Sequence, residues 1–483
     1  MADTLIRTRF APSPTGSMHI GNLRTALYEY LIAKSHGGRF VLRIEDTDQE
    51  RFVEGAVELI YQTLKTAGLA HDEGPDVGGD YGPYVQSERK LGYMEYAKEL
   101  VDRGAAYYCF CTRERLAGLR EENERAGRTN FYDRRCLALS NAEVRQNLDA
   151  NKPFVIRQKM PSGGSTVFHD AVYGEITVDN SELEDQVLIK SDGMPTYNFA
   201  NVVDDHLMAI THVVRGSEYL SSTPKYNLLY EAFGWDIPVY VHLPTIVKEG
   251  GQKFSKRAGD PSFVDLLEMG YLPEALVNYI ALLGWAPRDN QEFFSVAELA
   301  GVFSIEGISK SPSTFDYAKL NYFNAEYLRR KSPEEFHALA LPYIQKAVRD
   351  PRLDTFKISR TLQQRTETLR DIPGMIDFFD ALPVFTAELY THKKMKTDPD
   401  VAKNALSLAL PVLRGLELWS PEPLHAALVG LAEQNGFKNS QVLWPLRVAL
   451  SGKPVTPGGA VEIADILGKD ESLRRVEAAL AAL

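Results

Sequence analysis

Cysteine is scarce, with only Cys109, Cys111 and Cys136 in 483 residues; this excludes a disulfide framework and suits a reducing compartment. No run of roughly 20 apolar residues occurs, and no basic segment leads into a short apolar one. Neither secretion nor a membrane partner is expected, and a cytoplasmic location is. Positive charge is also in deficit, since 54 Lys and Arg face 65 Asp and Glu for a net charge of -11. Nucleic-acid binding requires cations that displace counterions from phosphates, so the overall balance argues against RNA unless local basic faces exist. Arg329, Arg330 and Lys331, and again Lys393, Lys394 and Lys396, are clusters that could form such faces or simply be solvated runs. Apolar residues, in contrast, make up 44% of the chain. At this length they fill roughly two to five compact units rather than one core.

The N-terminal third alternates two patterns. Ile6 to Ala11 reads as a strand, and Leu23, Leu27, Tyr30 and Leu31 mark one helix face. Arg39 to Ile44 reads as the next strand, followed by a helix through Val53, Val57, Ile60 and Leu64. Strand, helix, strand, helix implies a parallel α/β sheet, whose ligand sites lie at the carboxyl ends of the strands. From about Tyr84 to Val187 the pattern loosens into a charged helical stretch and short polar strands, with a capping box at Ser140 and Glu143. That segment reads as an insertion. The α/β pattern resumes at Val187 to Lys190 and continues through Ile210 to Val214 and Val239 to His242. Beyond about residue 325 only helical periodicity remains, as in Leu406, Leu410, Leu413 and Leu416, or Leu424, Leu428 and Leu431 ahead of Gly436. Ser332, Pro333 and Glu335 mark another helix start.

Two segments have the composition of ligand-facing loops. Ala11 to Asn22 (APSPTGSMHIGN) follows the first strand and opens the first helix, with prolines and a glycine keeping the loop irregular. His19 there could donate to phosphate oxygens at a helix N-terminus, and Gly21 would let the backbone approach a nucleoside closely. The bland alternative is a helix-capping histidine. Gly250 to Gly259 (GGQKFSKRAG) sets Lys253 and Lys256 among glycines after the last sheet strand. It is either a solvated basic turn or a mobile loop that neutralises charge developing on a departing pyrophosphate.

Taken together, the His-Ile-Gly-Asn and Lys-Phe-Ser-Lys-Arg elements resemble the two signatures of class I aminoacyl-tRNA synthetases. APSPTGxxHIGN with RIEDTD (Arg43 to Asp48) is similar to the glutamyl branch of the bacterial type, and the likeness extends through SDGMPTYNFANVVDDHLMAITHVVRGSE, LPEALVNYIALLGW, KLNYF and PLRVALSG. Asn22 stands where the general class has a second histidine, and Phe254 and Arg257 replace Met and Ser of the second signature. The resemblance implies an α/β and all-α multidomain fold. Residues 1–83 and 187–249 would be two halves of a Rossmann-like catalytic domain, and 84–186 an α+β insertion that binds the tRNA acceptor end. Residues 250–324 would carry the KFSKR loop and a helical stem-contact domain, and 325–483 an all-helical anticodon-binding region.

The implied reaction is glutamate activation by ATP, with Mg²⁺ carried by the nucleotide, then transfer to tRNA(Glu). The implied partners are tRNA(Glu), L-glutamate and ATP, for a monomer whose activation step depends on tRNA. Arg9, Ala11, Ser13, Glu45, Tyr197, Asn201 and Arg215 would line the glutamate pocket, with Arg9 on the γ-carboxylate and Glu45 facing the ammonium. His19, Gly21, Glu218 and Lys256 would bind ATP, and His19, Lys253 and Lys256 would be catalytic. Read without the family, Glu45 is a strand-end surface carboxylate and Arg215 a structural ion pair. Arg365 lies in the stretch RTLQQRTETLRDIP, which reads as helical, and its position resembles that of an arginine that contacts the third anticodon base in some members. Some members also carry a zinc site of the form C-x-C followed by C-x-H. Here Ala138 occupies the last position, so a fourth ligand is missing unless Tyr132 or water supplies it, and no metal ligand is assigned.

Two other functions fit parts of the chain. A nucleotidyltransferase that adenylates a small acid without RNA would leave the long helical region unexplained. A decayed, non-catalytic RNA-binding relative would be expected to lack His19 or Lys256, and both are present.

Overall fold

The computed structural model describes residues 5–48, 51–129, 131–254 and 259–483. The chain separates into two compact units, one of Met1–Asp265 with Val277–Asp316, the other of Leu266–Leu276 with Tyr317–Leu483.

In the first unit, β1 (Arg7–Phe10) leads through a loop into α1 (Ile20–Ser35), then β2 (Arg39–Leu42) and α2 (Ala56–Thr66). β1 and β2 pair in parallel, Arg9 opposite Val41. α1 is buried on most of its circumference, including Leu23, Leu27 and Leu31, because it lies between elements rather than on the surface. Val53 was expected on the face of α2; it precedes the helix and is exposed, since Gly55 in the left-handed region resets the chain before the first turn.

β3 (Ala106–Cys109) and β4 (Val155–Gln158) lie in the segment expected as an insertion, as do β5 (Ser165–Asp170) and β6 (Gly174–Asp179). β7 (Val187–Ile189), β8 (His212–Gly216) and β9 (Val239–Leu243) follow. β8 and β9 are parallel, with Arg215 opposite His242. β1 joins β8 where the Thr211 N–H donates to the Arg7 carbonyl (3.0 Å) and Thr211 Oγ1 accepts from the Arg7 N–H (2.9 Å). The expected boundary at residue 187 does not separate the sheets. β7 pairs antiparallel with β4 in the order β3-β4-β7, while the β5-β6 hairpin extends the parallel pair as β6-β5-β9-β8, through Asp170 opposite Tyr240. The polar alternation of the hairpin is that of a sheet with one wet face, and gives no sign of which sheet it joins. The capping box at Ser140 and Glu143 is present.

In the second unit every regular element from Tyr317 onward, among the described residues, is helical. Helices Pro333–Ala347, Pro399–Gly415, Pro421–Gln434 and Asn439–Ser451 pack around an apolar core that includes Phe336, Leu406, Leu413, Leu428 and Leu446. The Ser332/Glu335 capping box starts the first of these. No helix among the described residues is long and apolar enough to cross a membrane.

Candidate active site and nucleic-acid face

The loop after β1 is tied down by its own backbone: Glu45 N–H donates to the Pro12 carbonyl (3.1 Å) and Val53 N–H to that of Pro14 (3.0 Å). Ala11 is half-buried and Ser13 exposed within it. At its end His19 is the N-cap of α1, its Nδ1 accepting from the Asn22 N–H at 3.3 Å. The helix-capping reading of His19 is the one this geometry shows. Burial and the nearby Lys253 lower the imidazole pKa, while Glu218 opposes them. A neutral ring with Nδ1 accepting carries its proton on Nε2, as a donor facing away from the helix. A side chain at Gly21 would meet the His19 ring at 2.9 Å, so this glycine makes room for the imidazole itself.

Lys253 closes on the same place. It sits at the end of the turn Lys248–Gly251, which Gly250 and Gly251 allow by adopting positive φ, and its Nζ lies 3.9 Å from Glu218 Oε1. Both side chains are more than half exposed, 58% and 54%, as phosphate-facing groups require. Lys256 lies outside the described residues.

Deeper in, six ionisable side chains interlock. Arg9 donates from Nε to Asp205 (2.9 Å) and from Nη1 to Glu29 (3.3 Å), and its Nη2 makes no hydrogen bond to the described residues. Arg43 donates to Asp205 (2.7 Å) and Glu45 (2.9 Å), and lies 3.9 Å from Asp204. Burial pushes Glu29 well above the carboxylate range against the pull of Arg9. It also raises Glu45, against Arg43 and Arg9. Burial alone would raise Asp205 too, but Arg9 and Arg43 outweigh it and hold that carboxyl below its usual range. Glu45 is 3% exposed and so is not the surface carboxylate of the bland reading.

Tyr197 and Asn201 stand one turn apart on helix Tyr197–Leu207, with Asn201 Nδ2 donating to the Tyr197 carbonyl (2.7 Å). The Tyr197 ring lies 5.6 Å from that of Tyr219, which also faces the Arg215 guanidinium. Arg215 is buried against the rings of Tyr226 (4.5 Å), Tyr219 (5.3 Å) and Tyr240 (5.4 Å). It donates to His242 and Thr223 and has no carboxylate partner among the described residues. The structural ion pair of the bland reading is absent there.

Sequence reasoning had left out Glu29, Asp204, Asp205 and the tyrosines around Arg215. One signal was available: two adjacent acids inside the apolar helix FANVVDDHLM must find buried cations.

The Sγ atoms of Cys109, Cys111 and Cys136 all lie within 4.8 Å of one another. Tyr132 Oη stands 3.4 Å from Cys109 Sγ and 3.3 Å from Cys111 Sγ, so three thiols and one phenol converge, while Ala138 contributes nothing. The donor set fits a four-coordinate metal, with an uncommon oxygen as the fourth donor. Burial pushes the Cys111 thiol up to about 11.

In the second unit Arg365 is exposed and lies in the turn after helix Thr355–Leu362, not within a helix as its segment suggested. It is near enough to Arg447 to depress that group's pKa, along with burial. Arg447 stacks on Trp444 at 4.3 Å, and both line a cavity of about 740 Å³ with Met395 and His425. Lys393, Lys394 and Lys396 beside Met395 are exposed and free of ion pairs among the described residues, whereas Arg329 and Lys331 are paired with Glu326 and Glu274. The second cluster thus leaves three lysines without an ion pair among the described residues.

Comparison with known proteins covers both units. Residues 5–322 match the model of the class I tRNA synthetase (E and Q) catalytic domain, and residues 335–480 that of an anticodon binding domain. A glutamate-tRNA ligase of Clostridium tetani is 60% identical over 98% of this chain and 96% of its own length. That of Clostridium acetobutylicum is 58% identical over 99% and 98%. Among solved structures, a glutamate tRNA ligase from Elizabethkingia meningosepticum in complex with its amino acid superposes with a TM-score of 0.88 at 37% identity, covering 99% of this chain and all of that one. The glutamate-tRNA synthetase of Elizabethkingia anophelis gives 0.89 at 36%, over 99% of this chain and 100% of that one.

Proposed function

The chain belongs to the class I tRNA synthetases of the glutamate and glutamine branch, as a glutamate-tRNA ligase, and from this we propose how its residues divide the work. The enzyme activates L-glutamate with ATP to glutamyl-adenylate, releases pyrophosphate, and passes the glutamyl group to the 3′-terminal adenosine of tRNA(Glu).

Arg215, the remaining Nη2 of Arg9, and the polar tips of Tyr197 and Asn201 receive the substrate's side-chain carboxylate, while Glu45 faces its ammonium. Ala11 and Ser13 form the wall between this pocket and the nucleotide. The observation that carries the assignment is the buried Arg215 with no carboxylate partner among the described residues. The α-carboxylate then attacks the α-phosphate in line, so catalysis is positioning and charge stabilisation without an enzyme nucleophile. His19 donates from Nε2 to phosphate oxygens at the N-terminus of α1. Lys253, with Lys256 of the same motif, neutralises the departing pyrophosphate. Gly21 gives the His19 ring its place, and Glu218 holds Lys253 and faces the nucleoside. Mg²⁺ arrives with ATP, held mainly by phosphates and water. Replacing Arg215 by Gln should raise the glutamate KM strongly and leave that for ATP nearly unchanged; equal glutamate KM values would remove Arg215 from the pocket.

Arg365, near Arg447 and the cavity beside Trp444, reads the anticodon, and Lys393, Lys394 and Lys396 attract the phosphates around it. Cys109, Cys111, Cys136 and Tyr132 hold a structural zinc ion that braces the acceptor-end-binding segment. About one zinc per chain in the purified protein would support that role, and zinc-free protein would reduce the cluster to buried thiols. The enzyme works as a cytoplasmic monomer, for which sedimentation at a mass near 54.1 kDa is the check.

A further inference from the structure

Arg215 is held by a chain of hydrogen bonds whose direction is fixed at both ends. Its Nε lies 3.1 Å from His242 Nε2 on the neighbouring strand, where the two residues are opposite in register. An arginine Nε–H can only donate, so His242 Nε2 must be a lone-pair acceptor and the ring proton must sit on Nδ1. Nδ1 lies 2.6 Å from Asp170 Oδ2, which also accepts the His242 backbone N–H (3.1 Å). Asp170 Oδ1 accepts the N–H groups of Val172 (2.9 Å) and Tyr173 (2.8 Å). With four donors turned toward it, Asp170 is a carboxylate, and both it and His242 are at 0% exposure.

We propose that Asp170 and His242 are positioning residues for glutamate recognition: Asp170 locks the Nδ1–H tautomer of a neutral His242, which aims the guanidinium of Arg215 at the substrate carboxylate. The inference rests on the reading of Arg215 as a ligand of glutamate. Purely structural packing would need no particular tautomer. Here the tautomer matters, because a proton on Nε2 would set donor against donor at Arg215 and turn its fork away.

The groups facing His242 are Asp170 from the β5 hairpin, Arg215 from β8, Thr223 from helix Thr223–Phe233, Tyr240 from its own strand, and the more distant Glu218. Burial lowers the imidazole pKa, Asp170 opposes it and Arg215 adds to it, with a net fall. His242 is therefore neutral at pH 7, and the arrangement fails only as pH drops through the lowered value.

The decisive variant is Asp170→Asn. Its amide oxygen can still take the Val172 and Tyr173 N–H groups, which turns the NH₂ toward His242 and drives the ring proton to Nε2. The glutamate KM should rise by about tenfold, as expected when one charge-assisted contact is misaimed. The KM for ATP should stay within about twofold on the same argument. In the parent, nitrogen NMR should show His242 protonated on Nδ1. Arg215→Gln separates the two levels of the argument. If it raises the glutamate KM while Asp170→Asn does not, the positioning role is overturned and the pocket stands; if it leaves the KM unchanged, the pocket reading itself falls. Should Asp170→Asn fail to fold, the tautomer in the parent decides, and a proton on Nε2 would overturn the proposal.

Discussion

In the first unit Arg9, Glu29, Arg43, Glu45, Asp204 and Asp205 sit together, none more than 3% exposed. In the second, among the described residues, the only buried charged side chain is Arg475, satisfied by Glu471 and the carbonyls of Phe378 and Leu450. Taking an ion out of water costs several kcal/mol, and pairing recovers it only when geometry is good. A fold seeking stability alone would use the second interior. The proposed glutamate pocket gives the first unit a reason for the ionic one, because a small substrate with two carboxylates and an ammonium would have to be met by charges that cannot move. The second unit leaves its interior apolar and keeps Arg365, Lys393, Lys394 and Lys396 in solvent, where the proposed contact with a large polyanion would be made.

The contrast predicts effects of decreasing size. Asp205→Ala strips Arg9 and Arg43 of their shared acceptor and should destabilise the protein by roughly 3 to 5 kcal/mol, read by urea denaturation. A loss comparable to an ordinary surface change would mean the ionic interior is not held by pairing. The sign with pH follows from the depressed pKa of Asp205. Its contribution is fully present above the unfolded value of about 3.9 and is lost as pH falls through the lower folded one.

Leu406→Ala, in the apolar interior, should cost roughly 2 to 5 kcal/mol by transfer and cavity terms. Its effect should stay constant as pH falls below about 3.9, where that of Asp205→Ala shrinks; a strong pH dependence would blur the distinction between the two cores.

Lys253→Ala acts on an exposed group, so stability should hold while adenylate formation slows by about tenfold, since the lost charge is felt mostly in the transition state. Pyrophosphate exchange in the presence of tRNA and glutamate gives the rate, and tRNA affinity should be unchanged. An unaltered rate would take Lys253 out of the active site.

An effect of similar size, confined to the choice between two tRNAs, belongs to Arg365→Gln. Glutamate anticodons end in C and glutamine anticodons in G. Arginine donors suit the acceptors of cytosine and oppose the donors of guanine. Loss of this readout should narrow the kcat/KM ratio between the two tRNAs by about tenfold, within the range of one base contact. A ratio equal to the parent's would show that Arg365 does not read the anticodon.

The sheet strands, helix α1 and the helical second unit were legible because their signals are local. Leu23, Leu27 and Leu31 repeat at helical spacing, Ser140 and Glu143 form a capping box, and Gly250 and Gly251 turn the chain. The same local reading put Arg365 in a helix that stops three residues earlier, at Leu362, and carried Val53 into a helix that Gly55 delays. Helix ends depend on tertiary contacts more than helix centres do.

By itself, then, the sequence determined the classes of element, the glycine-bearing turns and the kinds of charge they present, since each depends on neighbours a few residues away. Tertiary structure alone decided which charges would meet. Arg9 reaches Asp205 across 196 residues, and Asp170 reaches His242 across 72. The second meeting exists only because a hairpin from the expected insertion docks on β9. The reason is physical: hydrogen-bond partners inside a protein are chosen by sheet register and by the cost of leaving a buried charge unpaired, and neither is encoded at the position of the charge itself.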